Sequence, residues 1–163
     1  MAIPSHFSPV KIGRRLREQL SIGGPLGANN PTRELLSEAR TVFGADRRVA
    51  QVISIGSGLP RVLSMESPTN VEVVHRLLTN IATNCETVAR ELPTRLYNID
   101  AYLRLNVDRG MEGIITLDWG ELGNIESHTA AYIATTAVSQ AIDSSVRRVM
   151  KRTGIMTLGQ LGE

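Results

Sequence analysis

Apolar positions along this chain change their period several times, and each change marks an element. Two short stretches, at 10–12 and at 17–22 before the glycine turn, predict small strands after a proline-bearing start that has no periodicity. The next stretch, NNPTRELLSEARTVFG, carries helix punctuation: Asn30 as N-cap, Pro31 as first helical residue, Glu34 in the first turn and Gly44 as the stop. Leu35, Leu36, Ala39, Val42 and Phe43 form its apolar face. Residues 49–55 are largely β-branched and closed by Gly56 and Gly58, the pattern of a strand buried on both faces of a parallel sheet. Strand, turn, helix and strand in this order predict a βαβ unit, with 49–55 central, parallel to a neighbour and covered by the helix from Pro31. Prolines and serines over 59–69 mark a loop.

Over 70–92 the positions Val71, Val74, Leu77, Leu78, Ile81, Cys85, Val88, Ala89 and Leu92 recur every three or four residues. That spacing predicts one long helix with Cys85 on its buried face and Pro93 as its terminator. Alternation over 101–107 predicts a half-buried strand, and 114–117 is a candidate short strand. A last helix is expected from about Asn124, with Ile125, Tyr132, Ile133, Ala137, Ala141 and Val149 as its face, before the tail TGIMTLGQLGE frays.

Composition narrows the class. At 163 residues the chain fits a single domain, 1–163, large enough for a real core. Its residues are 42% hydrophobic and only 4% aromatic, so that core must be aliphatic. Sixteen of the eighteen cations are arginine, and they are scattered among sixteen acids for a net charge of +2, which argues against a nucleic-acid partner. The pairs Arg14/Arg15, Arg47/Arg48 and Arg147/Arg148 read as solvated faces. One cysteine excludes an internal disulfide, and no apolar run reaches the length of a membrane span, so a cytoplasmic location is expected.

The glycine-rich SIGGPLGANNP at 21–31 does not make a phosphate loop: Gly23, Gly24 and Gly27 miss the GxGxxG spacing, no GK[ST] follows, and Pro25 removes an amide. SIGSG at 54–58 leads into LPRV, which does not start a helix, so nucleotide binding is not expected there either. Ser57 comes nearest to a nucleophile elbow, but its glycines stand one residue too close on each side for Gly-x-Ser-x-Gly. His6, His75 and His128 are far apart and belong to no metal motif, so neither a metal nor another cofactor is expected. Asp100, Asp108 and Asp118 read as turn residues, and Trp119 and Tyr132 as core.

Several of these stretches together resemble one family. GGPLGANNPTRELLSEARTVFG followed by RRVAQVISIGSG is similar to the part of patatin-like phospholipases where an Asp-Gly-Gly or Asp-Gly-Ala loop leads through ANNP into a helix and a strand. AIPSHFSPVKIG resembles the stretch just before it. YLRLNVDRGMEGIITLDWGELGNIESHTAAYI resembles the C-terminal part of patatin domains found in fungal multidomain proteins. The resemblance covers most of the chain and is most specific at 27–34. It implies an α/β fold, the C-terminal portion of a mostly parallel sheet flanked by helices, with an aspartate-loop and βαβ region at 1–58 and C-terminal helices and a strand at 59–163.

It also implies a lipid acyl hydrolase with a Ser–Asp dyad, the serine in Gly-x-Ser-x-Gly and a glycine-rich oxyanion loop, both in the half of the fold that precedes this segment. Neither motif occurs in the 163 residues. The family's aspartate falls on Ile22 when the glycines are aligned and on Gly23 when LGANNP is aligned, and neither accepts a proton. Gly23, Gly24, Gly27, Asn29, Asn30 and Pro31 therefore read as the scaffold of a catalytic loop without its acid. The expectation is a family segment without autonomous hydrolysis; the alternative is an active lipid ester hydrolase completed by an N-terminal half or by a partner chain that finishes the sheet. A lipid or membrane surface is the partner class the resemblance implies.

Overall fold

The computed structural model describes residues 8–14, 17–59, 71–95, 101–114, 119–151 and 153–162. In chain order its elements are β1 (Val10–Ile12), β2 (Gln19–Ser21), α1 (Pro25–Ala28), α2 (Thr32–Phe43), β3 (Arg48–Val49), β4 (Val52–Ile55), α3 (Val71–Ala82) and α4 (Glu86–Arg95). They continue with β5 (Tyr102–Leu105), a 3-10 turn (Trp119–Glu121), α5 (Leu122–Ile133), α6 (Thr136–Lys151), β6 (Met156–Thr157) and α7 (Leu158–Gly162). The chain is a mixed α/β structure with small sheets, partly antiparallel. It divides into two compact units, 1–31 with 65–87 and 32–64 with 88–163. The 114–117 candidate strand lies, beyond Ile114, outside the described residues, as do His6, Asp100, Asp118 and all of the 59–69 loop except Leu59.

In the first unit β1 and β2 form an antiparallel hairpin, with Val10 opposite Ser21 and Ile12 opposite Gln19. The glycine-rich turn is not bare loop, because Pro25 opens a short helical turn, α1, and Gly27 takes a φ of +96° that favours glycine. Two asparagines then reach across the sequence. Asn29 Nδ2 donates to the Thr83 carbonyl at 2.7 Å and Asn30 Nδ2 to the Cys85 carbonyl at 3.2 Å. Those carbonyls sit where the long helix expected over 70–92 is broken into α3 and α4. The break is locally completed by the Glu86 N–H, which donates to Asn84 Oδ1 at 2.8 Å as the α4 amides need. Pro93 does not end the helix but lies inside α4, which runs on to Arg95. Nor is the apolar stripe of α3 a buried face: Val71, Val74, Leu78 and Ile81 are exposed, and Cys85 is half-buried.

The second unit holds the core. β4 pairs in parallel with β5, Val52 against Tyr102 through Ile55 against Leu105. The expected parallel pairing is therefore present, but β4 is not central, since among the described strands it pairs with β5 alone, and the expected βαβ unit is not formed, since β2 pairs antiparallel with β1; nor is β4 buried on both faces. Val52 and Ser54 point inward while Ile53 and Ile55 are 48% and 77% exposed, so the run alternates as a half-covered strand does. Nor is it continuous over 49–55, since β3 and β4 pair with different partners. Its inner face packs with Leu36 of α2, Leu92, Ala101, Met156, Leu158 and Leu161 in one buried cluster. Ser54 is held in that interior by Thr32 Oγ1 at 3.1 Å and Arg104 Nη1 at 2.9 Å.

α2 begins at Thr32, one residue past the position expected, and stops at Gly44, whose φ is +84°. Of its apolar face only Leu36 is buried and Ala39 half-buried; Leu35, Val42 and Phe43 stand exposed. The last helix is two, α5 and α6, and the tail does not fray. Met156 and Thr157 pair antiparallel with Val49 and Arg48, the Leu158 amide donates to the Arg47 carbonyl at 2.9 Å, and the Gly159 amide to the Ala45 carbonyl at 2.8 Å. This stitching places Met156, Leu158 and Leu161 in the core. Because Leu161 is fully buried, Leu161→Ala removes a core side chain and should destabilise the protein by about 2–5 kcal/mol in urea unfolding, whereas a frayed tail would tolerate it within about 0.5 kcal/mol.

Candidate functional site

In open α/β sheets ligands bind outside the carboxyl ends of the parallel strands. β4 and β5 are such a parallel pair. Past the strands, the Gly56 amide donates to the Leu105 carbonyl at 2.8 Å and the Leu59 amide to the Val107 carbonyl at 3.0 Å, so the two chains stay in step beyond the ladder. Between these ends and α5 lies a cavity of about 580 Å³, within the ~300–1,000 Å³ of typical small-molecule sites. The strand ends contribute Ile55, Ser57, Leu105 and Asn106, the following loop Met111 and Ile114, and the 3-10 turn and α5 contribute Trp119, Ile125 and Tyr132 among others. No described lining residue carries a charge.

Glycines make the strand-end loop possible. A Cβ on Gly56 would stand 2.2 Å from Asn106 Oδ1 and 2.6 Å from Arg104 Nη2, so only glycine lets those side chains lie across the strand. Asn106 Oδ1 in turn accepts the Gly58 amide at 2.8 Å, and the Asn106 backbone N–H donates to the Tyr132 hydroxyl at 3.2 Å, which ties the end of β5 to α5. Gly58 has a φ of +108° and lies directly beneath Met111. Gly110, at +85°, lies beneath the His128 ring.

Among the residues singled out from sequence, the structure brings Ser57, Trp119 and Tyr132 to this one cavity. Trp119 is not core, being 72% exposed, and Tyr132 is half-buried with its hydroxyl engaged. Ser57 is exposed at the strand end, but no histidine or carboxylate is among the described lining residues, and the amides of both flanking glycines are already donated. The loop therefore presents neither a base nor those two amides as oxyanion donors. His75 and Asp108 are exposed on the surface, and the described residues contain no group of three His, Cys, Asp or Glu side chains able to hold a metal ion. Ile22, Gly23, Gly24, Gly27, Asn29, Asn30 and Pro31 belong to the other unit, where Ile22 is exposed and the asparagines hold the helix break.

Comparisons of the chain with protein-family models, with curated proteins and with solved structures return no significant match. The site therefore rests on its own geometry. Asn106, Met111, Ile114 and Ile125 were not readable as site residues beforehand, since nothing but the strand register brings 55–57 beside 105–107.

Met111, which lines the cavity, packs on Gly58. Gly58→Ala would set a methyl 2.5 Å from Met111 Cβ at a backbone angle that L side chains rarely adopt, and should cost about 2 kcal/mol or more while narrowing the cavity. Gly113→Ala, with nothing within 4 Å of its added methyl, should stay within about 0.5 kcal/mol of the parent. Equal thermal midpoints for the two variants would contradict the packing of Met111 on Gly58.

Proposed function

We propose that this chain is a patatin-related α/β segment, the C-terminal portion of a mostly parallel sheet, that holds an apolar lipid-type ligand and does not hydrolyse it unaided. The observation that carries this reading is the uncharged 580 Å³ cavity at the carboxyl ends of the only parallel strand pair among the described elements. An acyl hydrolase needs a nucleophile, a base within hydrogen-bond reach and donors for the oxyanion. Ser57 supplies at most the first. Losing a single member of such a set costs about 10²–10⁴-fold in rate, and among the described lining residues there is no base, while the amides of Gly56 and Gly58 are already donated. No helix among the described residues is long and apolar enough to cross a membrane.

The purified chain should turn over neither short-chain nitrophenyl esters nor phospholipid vesicles above buffer, and a fluorophosphonate should leave its serines unlabelled. Stoichiometric labelling of Ser57 would overturn the non-catalytic part of the reading. A second reading, an active hydrolase completed by another chain, is favoured by β4, which pairs with β5 alone among the described strands and exposes Ile53 and Ile55. It expects esterase activity to appear only when a segment bearing Gly-x-Ser-x-Gly is supplied in trans, together with a larger mass in light scattering.

A further inference from the structure

The C-terminal half of α6 is packed on one side only. Ser145 is buried and Ala141, Ile142 and Arg148 are half-buried, whereas Val146, Val149 and Met150 are 50%, 49% and 76% exposed. Their spacing of three and four residues puts those three on one strip of the helix. Beside the strip Arg147 and Lys151, one turn apart, are exposed as well, and Arg147 Nη2 donates to Ser144 Oγ at 3.3 Å. Past the helix the chain returns to β3, where Arg48 Nη1 donates to the Gly154 carbonyl at 3.2 Å; from α6 itself Arg148 Nη1 donates to Gln51 Oε1 at 3.2 Å. The pairs Arg47/Arg48 and Arg147/Arg148, which read as separate solvated faces in the sequence, thus lie on neighbouring segments of one unit.

Among the described residues no carboxylate pairs with Arg47, Arg48, Arg147 or Lys151. The sequence has no Asp or Glu over 47–65 or over 144–162, and the bordering acids Asp46 and Asp143 leave the cations in excess. Cations in a last turn also offset the helix dipole, but that effect gives no reason for an exposed aliphatic strip beside them.

We propose that this face of α6 docks on an anionic lipid surface, with Arg147 and Lys151 over the phosphate headgroups, Arg47 and Arg48 adding to the positive field, and Val146, Val149 and Met150 pressed into the interface. Cations and aliphatic side chains placed side by side are what an interfacial helix needs. A nucleic-acid face would instead accompany its cations with aromatic side chains for stacking, and α6 contains none. The inference does not rest on the cavity, since none of these side chains is among its described lining.

Each Lys or Arg held at an anionic bilayer strengthens binding about five-fold, and salt screens the attraction. The full chain should therefore co-sediment with vesicles of phosphatidylcholine and phosphatidylserine at least about ten-fold more strongly than with phosphatidylcholine alone, and should be released as salt rises from about 0.1 M to about 0.5 M. Replacing both Arg147→Gln and Lys151→Gln should weaken that binding about ten- to thirty-fold. Replacing both Val146→Ser and Met150→Ser should weaken it at least about five-fold while leaving the affinity for a single-stranded oligonucleotide unchanged. Equal or absent binding to the two vesicles, or binding that the charge variant leaves unmoved, would overturn the proposal. An oligonucleotide bound as tightly as the anionic vesicles, with the serine variant losing nothing on either, would show a general polyanion site and overturn the lipid assignment. The comparison of the two vesicles uses the unaltered chain, so it decides the matter even where a variant's far-UV spectrum shows loss of structure.

Discussion

The parallel pairing of β4 with β5 is the constraint on which the second unit depends. Parallel register fixes which residues share a face, and a slip of one position would turn every side chain over. With Ser54 beside Arg104 and Ile55 beside Leu105, Val52 faces the cluster of Leu36, Leu92, Met156 and Leu161. The same register puts Ile55 and Leu105 on the opposite face, at the cavity. It also carries Gly56 to where the Asn106 side chain can cross it. Core and candidate site are thus two faces of one ladder.

That ladder underlies the proposal that the strand end binds without reacting. A serine at the end of a parallel strand becomes a nucleophile when a strained turn lifts it toward a base and spare amides. Here the strand end is relaxed into the ladder: Gly56 gives its amide to Leu105, and Gly58 gives its amide to Asn106. The amides of both glycines flanking Ser57 are thus engaged in holding the loop in place.

Legibility from sequence followed the range of the interaction. Val10–Ile12, the helix ending at Gly44 and the strand near 102–105 were readable because local period and punctuation decide them. The tail was misread because TLGQLG has no period of its own; its burial is set by pairing with Arg48 and Val49 more than 100 positions earlier. The break in the 70–92 helix was invisible for the same reason, since Asn29 and Asn30 act from 54 and 55 residues away. Two-faced burial of 49–55 was over-read from composition, because β-branched residues favour a strand whether or not its second face is covered.

The glycine-rich turn has a structural role within its own unit. A loop that presents a catalytic carboxylate must hold its backbone rigid, and glycine and asparagine do this by allowing tight turns and by bonding distant carbonyls. In this chain Ile22 and Gly23 occupy the places where the resemblance would put the acid, while Gly27 takes a positive φ and both asparagines have long-range partners. What those asparagines hold is the helix break at 83–85, where Asn29 donates to the Thr83 carbonyl and Asn30 to the Cys85 carbonyl. The asparagines of the turn are bound to the fold of their own unit, and that role does not require catalysis.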